Sequence, residues 1–292
     1  MLEREHGRER GAVATGLVVS SVLCVAEFVG GWWTNSLALL SDAAHMLTDV
    51  GALALTLFAL WIGSRPASER KTYGWYRAEI LAALVNGVVL SVLTVFIVLE
   101  AWQRLVAPEP VEAGGMLAVA TLGLAVNVFV AMRLHEHQHR SLNLRGAYLH
   151  VLSDLLGSVG AIAAAAVMLA TGWMGVDPLV SLAIAALILV ASWTLVREAV
   201  DVLMEAVPPH VDLELLAQRL RAVPGVDEVH DLHVWTLTTG RYALSAHAVS
   251  REPGGDDRLL DGLTEVCLRE FRIEHVTIQI ERENRRASEP GH

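Results

Sequence analysis

Two histidine–aspartate pairs lie within long apolar stretches of this sequence. His45 and Asp49 end the run Ser-Leu-Ala-Leu-Leu-Ser-Asp-Ala-Ala-His-Met-Leu-Thr-Asp, and His150 and Asp154 bound the run His-Val-Leu-Ser-Asp. Because the members of each pair are four residues apart, they share one face of a helix with 3.6 residues per turn. Two imidazoles and two carboxylates together form a tetrahedral N₂O₂ ligand set suited to Zn²⁺.

A single pair of this kind has an equally good structural explanation, a helix hydrogen bond that satisfies a buried polar group. Two pairs at equal spacing favour a shared metal ion instead. An ionisable side chain in a membrane span opposes insertion by about 2.5 to 3.5 kcal/mol. Unpaired carboxylates would be penalised, whereas Zn²⁺ with two Asp and two neutral His is formally neutral. Without the metal, the site would need protons.

The elements that carry these pairs are expected to cross a membrane. The chain has 292 residues, of which 53% are hydrophobic and 18% charged, a composition too apolar for an ordinary soluble domain. A bilayer core of about 30 Å needs about 20 apolar residues in a helix. Six stretches meet that length, so we predict a polytopic α-helical membrane protein with six transmembrane helices: Gly11–Trp33, Leu37–Ile62, Glu79–Trp102, Gly114–Leu134, Ala147–Thr171 and Met174–Val196.

The basic residues of the loops predict the orientation of these spans. The loops after the second and fourth spans are rich in Arg and Lys, at positions Arg65, Arg70, Lys71, Arg77, Arg140 and Arg145. By the positive-inside rule these loops face the cytoplasm, and so do both termini. The sequence therefore predicts a multi-pass protein of the cell membrane.

The residues after the sixth span have the character of a small folded domain. Their pattern predicts a helix at 211–223, strands at 229–237 and 242–249, a helix at 256–271 and a strand at 275–281. This αββαβ order is typical of an open ferredoxin-like domain. We therefore divide the chain into a cytosolic N-terminal segment (1–10), a six-helix transmembrane domain (11–206), a cytosolic ferredoxin-like domain (207–286) and a flexible C-terminal tail (287–292).

Several of these motifs together resemble the cation diffusion facilitator family, and the likeness covers nearly the whole chain. They are Asn-Ser-Leu-Ala-Leu-Leu-Ser-Asp-Ala-Ala-His-Met-Leu-Thr-Asp, Gly-Trp-Tyr-Arg-Ala-Glu-Ile-Leu and Leu-His-Val-Leu-Ser-Asp. The pairing of His-Asp with His-Asp resembles the zinc branch. The resemblance implies a homodimer that exports Zn²⁺, with Cd²⁺, Co²⁺ and Ni²⁺ as further candidates, in exchange for H⁺ by alternating access. The formal net charge of −10 argues against a nucleic-acid partner, and the expected surroundings are membrane lipid.

Other polar residues of the sequence have a functional explanation, a structural explanation or both. Asp42 lies one turn before His45, where it is placed to orient a ligand imidazole or to cap a helix. The tract Leu-His-Glu-His-Gln-His-Arg places His135, His137 and His139 in one loop, which in the family is taken to collect ions and is otherwise a solvated loop. Other polar residues in the spans are expected to make interhelical hydrogen bonds: Glu27, Asn86, Glu100, Asn127 and Asp177.

The resemblance also suggests sites outside the membrane. Arg77 matches a basic position of the family, and Glu205 is its candidate partner for an interlock at the cytosolic hinge of a dimer. Family tails often bind metal, so His233, His247, Gln279 and Glu281 are candidates for a regulatory Zn²⁺ site. A polar sheet face or a dimer contact explains the same residues. The loop from Gly63 to Ala78 has neither Asp nor His, so no metal site is expected there.

Two other functions fit a metal held within a membrane. An intramembrane metalloprotease needs a catalytic base, commonly within His-Glu-x-x-His, and that motif is absent from the sequence. A membrane-tethered zinc sensor would not need four ligands inside the spans. The chain is therefore expected to be a transporter and not an enzyme.

Overall fold

The computed structural model describes residues 18, 20–63, 65, 68–135, 142–250 and 256–283. Within these ranges no side chain is described for residues 48–49, 52–57, 59–60, 63, 133–135 and 142–153. The elements, in chain order, are α1 (20–34), α2 (Leu37–Gly63), α3 (Arg77–Val106), α4 (Ala113–His135), α5 (Leu142–Thr171), α6 (Val176–Leu203), α7 (Leu213–Arg221), β1 (Glu228–Thr238), β2 (Arg241–Val249), α8 (Asp256–Phe271) and β3 (His275–Glu281).

Four helices in the described residues are long and apolar enough to cross a membrane. They are Arg77–Val106, Ala113–Met132, Asp154–Thr171 and Val176–Leu203, and α2 contributes a shorter apolar stretch at Leu37–Leu47. Large apolar side chains on the outer faces of α3 and α6 are exposed, among them Val89, Phe96, Leu187 and Trp193. Exposed apolar surface on this scale is what a bilayer would cover. The third to sixth expected spans are thus confirmed as membrane-length helices.

The chain forms two compact units. The first contains residues 1–58 and 83–196, and the second contains residues 59–82 and 197–292. The second unit therefore joins the end of α2, the following loop and the start of α3 to everything after residue 196. α2 and α3 each contribute residues to both units.

In the first unit, α2 is packed on two sides. On one side Ala38 and Leu39 share an apolar cluster with residues of α4 and α5, including Met116, Ala161 and Ala165. On the other side Leu37 and Ala44 pack with Ile97 and Ala101 of α3 and Ala185 of α6. Small residues at such contacts let helix backbones approach closely in a membrane. The helix that carries His45 is thereby fixed between two helix pairs.

The N-terminal end of α2 is held by a buried carboxylate from α6. The Asp177 carboxylate accepts hydrogen bonds from Ser36 Oγ (2.6 Å), the Leu37 amide (2.7 Å) and the Ala38 amide (3.2 Å). Ser36 Oγ in turn accepts a hydrogen bond from the Leu39 amide (3.3 Å). The first amides of a helix lack intrahelical partners and favour a negative charge. Asp177 therefore plays the structural part that the sequence predicts.

The turn before α2 is fixed by an arginine from the end of α3. Asn35 has a positive φ of 55°, which is uncommon outside glycine. Arg104 holds this residue by donating to the Asn35 backbone oxygen (2.7 Å) and to Asn35 Oδ1 (2.9 Å). Glu100 accepts from Arg104 Nε at 2.9 Å, which keeps the guanidinium in place.

The tail of the second unit is a three-stranded sheet covered on one face by α7 and α8. The strand order is β1-β2-β3, with β1 antiparallel and β3 parallel to β2. Apolar residues of both helices, including Leu216, Leu263 and Phe271, pack against Val234 and Leu244 of the sheet. Val276, Ile278 and Ile280 of β3 join this core, as the alternation of β3 predicts.

Within that core Cys267 is fully buried. Burial raises the pKa of its thiol to about 11, because the charged thiolate is disfavoured away from water. The thiol therefore stays protonated and fills space in the core.

Candidate metal centres

The α2 face that carries the first candidate ligand is closely packed. Asp42 is buried, at 3% relative exposure, and His45 is half-buried one turn further along the helix. Asp49 follows by another turn in α2, and its side chain lies outside the described residues. Helical spacing places all three on the side of α2 that also carries Ala38.

Asp42 marks where this face meets α5. A Cβ atom built on Gly157 would lie only 2.6 Å from Asp42 Oδ1, so the carboxylate rests directly on the α5 backbone. One turn nearer the N-terminal end of α2, Ala38 shares its cluster with Ala161, which is one turn further along α5. Later positions in α2 therefore lie beside earlier positions in α5. The two helices are antiparallel along this seam.

On α5, Asp154 lies one turn before Gly157 and is buried at 3% relative exposure. His150 precedes it by another turn within α5, and its side chain lies outside the described residues. The structure thus describes two of the four predicted ligands, His45 and Asp154. It describes no ligand distances that include Asp49 or His150.

A third helix adds a carboxyl group that we did not predict for this site. Glu27 of α1 is buried at 1% relative exposure and lies close enough to Asp42 and Asp154 for their charges to interact. Gly123 of α4 provides the space, because a Cβ there would lie 2.7 Å from Glu27 Oε1.

A second cluster of ligand-type side chains lies on the face of the tail sheet opposite α7 and α8. Among the described residues, one group has metal-ligand atoms that all lie within 4.8 Å of one another, namely His230, His247 and Glu281. Glu281 lies 3.5 Å from His230 Nε2 and 3.4 Å from His247 Nδ1. Two imidazole nitrogens and one carboxylate oxygen can bind Zn²⁺ and leave a fourth position open.

Strand register explains why these residues meet. His230 pairs with His247 across the antiparallel strands, and His247 pairs with Gln279 across the parallel ones. His230, His247 and Gln279 therefore stand side by side on one sheet face, and Glu281, two residues further along β3, lies on that same face. Gln279 Nε2 donates to Glu281 Oε1 at 2.7 Å, so Gln279 orients the carboxylate.

His233, which the sequence predicts as a tail ligand, contacts a residue outside this cluster. Its Nε2 lies 3.0 Å from Asp231 Oδ1, and its side chain is about half exposed. Asp231 Oδ2 also lies 3.9 Å from His247 Nε2. The group whose ligand atoms lie close together therefore contains His230 of β1, whereas the sequence predicts His233 of that strand.

A β-bulge is the reason that both histidines reach the same face. His230 and His233 are three positions apart on β1, whereas their partners His247 and Ser245 are two positions apart on β2. Asp231 is the extra residue and has a φ of 49°. Strict alternation would put His230 and His233 on opposite faces. An aspartate between two histidines was the only sequence signal that could have indicated the bulge.

The expected ion pair after the sixth span is present within the chain. Arg77 Nη2 donates to Glu205 Oε1 at 2.6 Å. An additional contact beside it was not anticipated, because Thr238 Oγ1 and Thr239 Oγ1 donate to the Glu79 carboxylate at 2.6 and 3.1 Å. The start of α3 is therefore tied to the tail by two carboxylate interactions.

Some expected features fall where the structure describes too little. His137 and His139 lie outside the described residues, and only the helical backbone of His135 is described. The segments 1–10 and 287–292 also lie outside them.

Two family models match the chain in succession. Residues 13–204 match the cation efflux transmembrane domain, and residues 208–283 match the cytoplasmic domain of the cation efflux proteins. The chain belongs to the cation efflux family. It is a membrane-spanning member whose C-terminal domain is cytoplasmic, and its curated relatives are metal cation transporters, not enzymes.

Curated relatives of this cation efflux protein match it over nearly its whole length. The metal cation efflux system protein CzcD of Cupriavidus metallidurans is 44% identical over 94% of this chain and 87% of its own. The zinc transporter ZitB of Escherichia coli is 41% identical over 96% and 89%. A cadmium, cobalt and zinc/H(+)-K(+) antiporter of Bacillus subtilis is 40% identical over 95% and 92%.

A solved structure also matches, the metal-bound C-terminal domain of the CzcD transporter from C. metallidurans. It is 39% identical over 24% of this chain and 99% of its own, with a TM-score of 0.23. That score is too low for the likeness to support a structural argument.

Proposed function

We propose that this protein exports Zn²⁺, and similar divalent ions, across the cell membrane in exchange for protons. The ligands of the transported ion are His45, Asp49, His150 and Asp154. The observation that carries this proposal is the contact of Asp42 with Gly157. If the antiparallel seam continues one turn inward, His45 lies opposite Asp154, and one turn further Asp49 lies opposite His150.

The chemistry of these ligands supports exchange with protons. Histidine titrates near pH 6.5 when unperturbed, and it binds metal only in its neutral form. Zn²⁺ and H⁺ therefore compete for the same imidazole nitrogens, so protons on one side of the membrane promote release there. Glu27 adds a third carboxyl group close to Asp42 and Asp154. Asp42 acts in this proposal by positioning α2 against α5.

The names of the relatives support the same ion class. One is a zinc transporter, and another is an antiporter for cadmium, cobalt and zinc. The ligand set of two nitrogens and two oxygens accepts several of these ions. We propose six transmembrane helices, α1 to α6, with both termini in the cytoplasm and His135, His137 and His139 collecting ions at the cytoplasmic mouth.

The cytoplasmic domain is proposed to be ferredoxin-like, to dimerise and to sense metal. Its αββαβ order and its family match support the dimer, and the cluster of His230, His247 and Glu281 supports a regulatory Zn²⁺ site. The Arg77–Glu205 pair is proposed to brace the hinge of that homodimer. Exposed ion pairs contribute only about 0 to 1 kcal/mol, so this pair orients the tail more than it stabilises it.

Zinc flux into proteoliposomes with a set pH difference tests this function. Wild-type flux should rise with the pH difference, and His45→Ala should abolish it. His233→Ala is the matched control, because it removes an imidazole that is half exposed on the tail and should transport normally. Wild-type flux that is unchanged when the pH difference is collapsed would refute proton exchange, and transport by His45→Ala would refute the site.

A further inference from the structure

A pocket that the transport function does not use lies in the second unit. It has a volume of about 370 Å³ and lies beside the loop that joins α2 to α3. The polar side chains that line it include Arg65, Thr72, Tyr73, Tyr76, Arg241 and His275. These come from the loop, from β2 and from the start of β3, so the fold brings them together from three segments.

The pocket is rich in hydrogen-bond donors. Arg241 Nη1 donates to the Tyr76 hydroxyl at 2.7 Å, which leaves the Tyr76 hydrogen available to a ligand. Tyr73 Oη and His275 Nε2 are 3.4 Å apart, and their rings meet edge to face. The hydrogen bond and ring contact fix these aromatic side chains on the wall of the pocket.

The charge of the pocket favours an anion. Arg65 and Arg241 contribute two positive charges, and Glu274 is the one carboxylate in the lining. In the described part of the chain, neither Arg65 nor Arg241 forms a salt bridge, and each guanidinium instead lies near an aromatic ring, Trp61 at 4.4 Å and Tyr76 at 4.9 Å. Both cations therefore keep their capacity to bind an anion.

We propose that this pocket binds a phosphate group, and that the phosphate is carried by an anionic phospholipid. Guanidinium groups present planar pairs of donors that match phosphate oxygens. The surrounding hydroxyls of Thr72, Tyr73 and Tyr76 add more donors than the two oxygens of a carboxylate would use. The class of ligand is thus a phosphate ester.

The position of the pocket along the chain indicates the lipid. Trp61 lies in the last turn of α2 with 57% of its surface exposed, and Arg65 follows two residues after that helix ends. Tryptophan at a span end favours the depth of the lipid headgroups. A guanidinium over this ring is therefore placed where lipid phosphates are concentrated. This step rests on the membrane-spanning domain and not on the identity of the transported ion.

Native mass spectrometry of the detergent-purified full-length protein provides the test. Wild type should retain added phosphatidylglycerol in preference to phosphatidylcholine. Loss of a charged hydrogen bond lowers affinity by about tenfold or more, so Arg65→Gln/Arg241→Gln should lower phosphatidylglycerol retention by at least that factor. Arg197→Gln is the control, since Arg197 is an exposed arginine near the C-terminal end of α6 that does not line the pocket.

The source of the phosphate is separated by competition. Inorganic phosphate that binds wild type and displaces no lipid, with binding lost in the double variant, would assign a soluble phosphate ligand. Equal retention of phosphatidylglycerol by wild type and the double variant, with no phosphate binding, would overturn the proposal. If the double variant fails to fold, Tyr73→Phe removes one hydroxyl and should lower retention by about threefold; no change in that variant would also overturn it.

Discussion

The protein carries histidine and carboxylate side chains in two settings that differ in how they are held. In the tail, His230, His247 and Glu281 are placed by the hydrogen-bonded register of one small sheet. In the membrane domain, His45 and Asp154 are placed by two separate helices that meet along a seam of small residues. A site within one sheet has a fixed geometry, whereas a site divided between helices changes whenever the helices shift. The first setting suits a bound regulatory ion and the second suits an ion in passage.

The largest difference in zinc flux between the two settings is expected when Asp154 of α5 is changed. Asp154→Asn should reduce zinc flux in proteoliposomes by at least about 100-fold, because even groups that only support a metal ligand change affinity by 10- to 100-fold. The matched tail variant, His247→Ala, should keep flux within about twofold. Loss of flux in His247→Ala would show that the tail cluster lies on the transport route.

A smaller effect should come from the seam itself. Gly157→Ala places a methyl group 2.6 Å from Asp42 Oδ1, which forces the carboxylate or the helix to move. We expect zinc flux to fall by about tenfold, the lower range for displaced supporting groups. Gly160→Ala is the control, because its nearest neighbour, Val180 Cγ1, is 3.4 Å away, and flux should remain near that of wild type. Equal flux in both variants would contradict a role for the Asp42 contact.

The hydrogen bonds between Asp177 and the N-terminal end of α2 should affect the stability of the protein more than its ion selectivity. Asp177→Asn removes the charge that holds three donors, and hydrogen bonds to charged groups are worth about 1.5 to 3 kcal/mol. Thermal unfolding in detergent, followed by tryptophan fluorescence, should show a loss of that size. Glu109→Gln, at the exposed end of the same network and 3.5 Å from Arg104, should cost at most about 1 kcal/mol. A stable Asp177→Asn variant would mean that the cap contributes little.

The smallest expected difference lies within the tail cluster. In the Asp154→Asn background, which removes the transport site, His230→Ala should abolish zinc binding to the full-length protein in calorimetry. His233→Ala should change it by no more than about threefold, because His233 contacts Asp231 and only supports the cluster. A reversed order would favour the ligand set expected from the sequence alone.

Local sequence patterns predicted the bounds of helices and strands well where the whole pattern lies within one short segment. The predicted bounds of α8 and β3, 256–271 and 275–281, agree with the structure, since apolar periodicity and an acidic first turn define the helix. The four-residue spacing also predicts His45, Asp49, His150 and Asp154 as ligands, and this ligand set stays a prediction. In contrast, Glu27 approaches Asp42 from another helix, and Asp177 caps a helix about 140 residues away in sequence. Neither partner is visible in local spacing.

The β-bulge at Asp231 has a consequence for how such a cluster can change over generations. The extra residue is itself the one whose carboxylate lies beside both His233 and His247. Insertion of a single codon at this point would add a carboxylate beside both histidines. The β1 residues on either side of it would keep their partners on β2. The strand can thus gain or lose a polar contact by insertion or deletion without any other residue on the sheet being replaced.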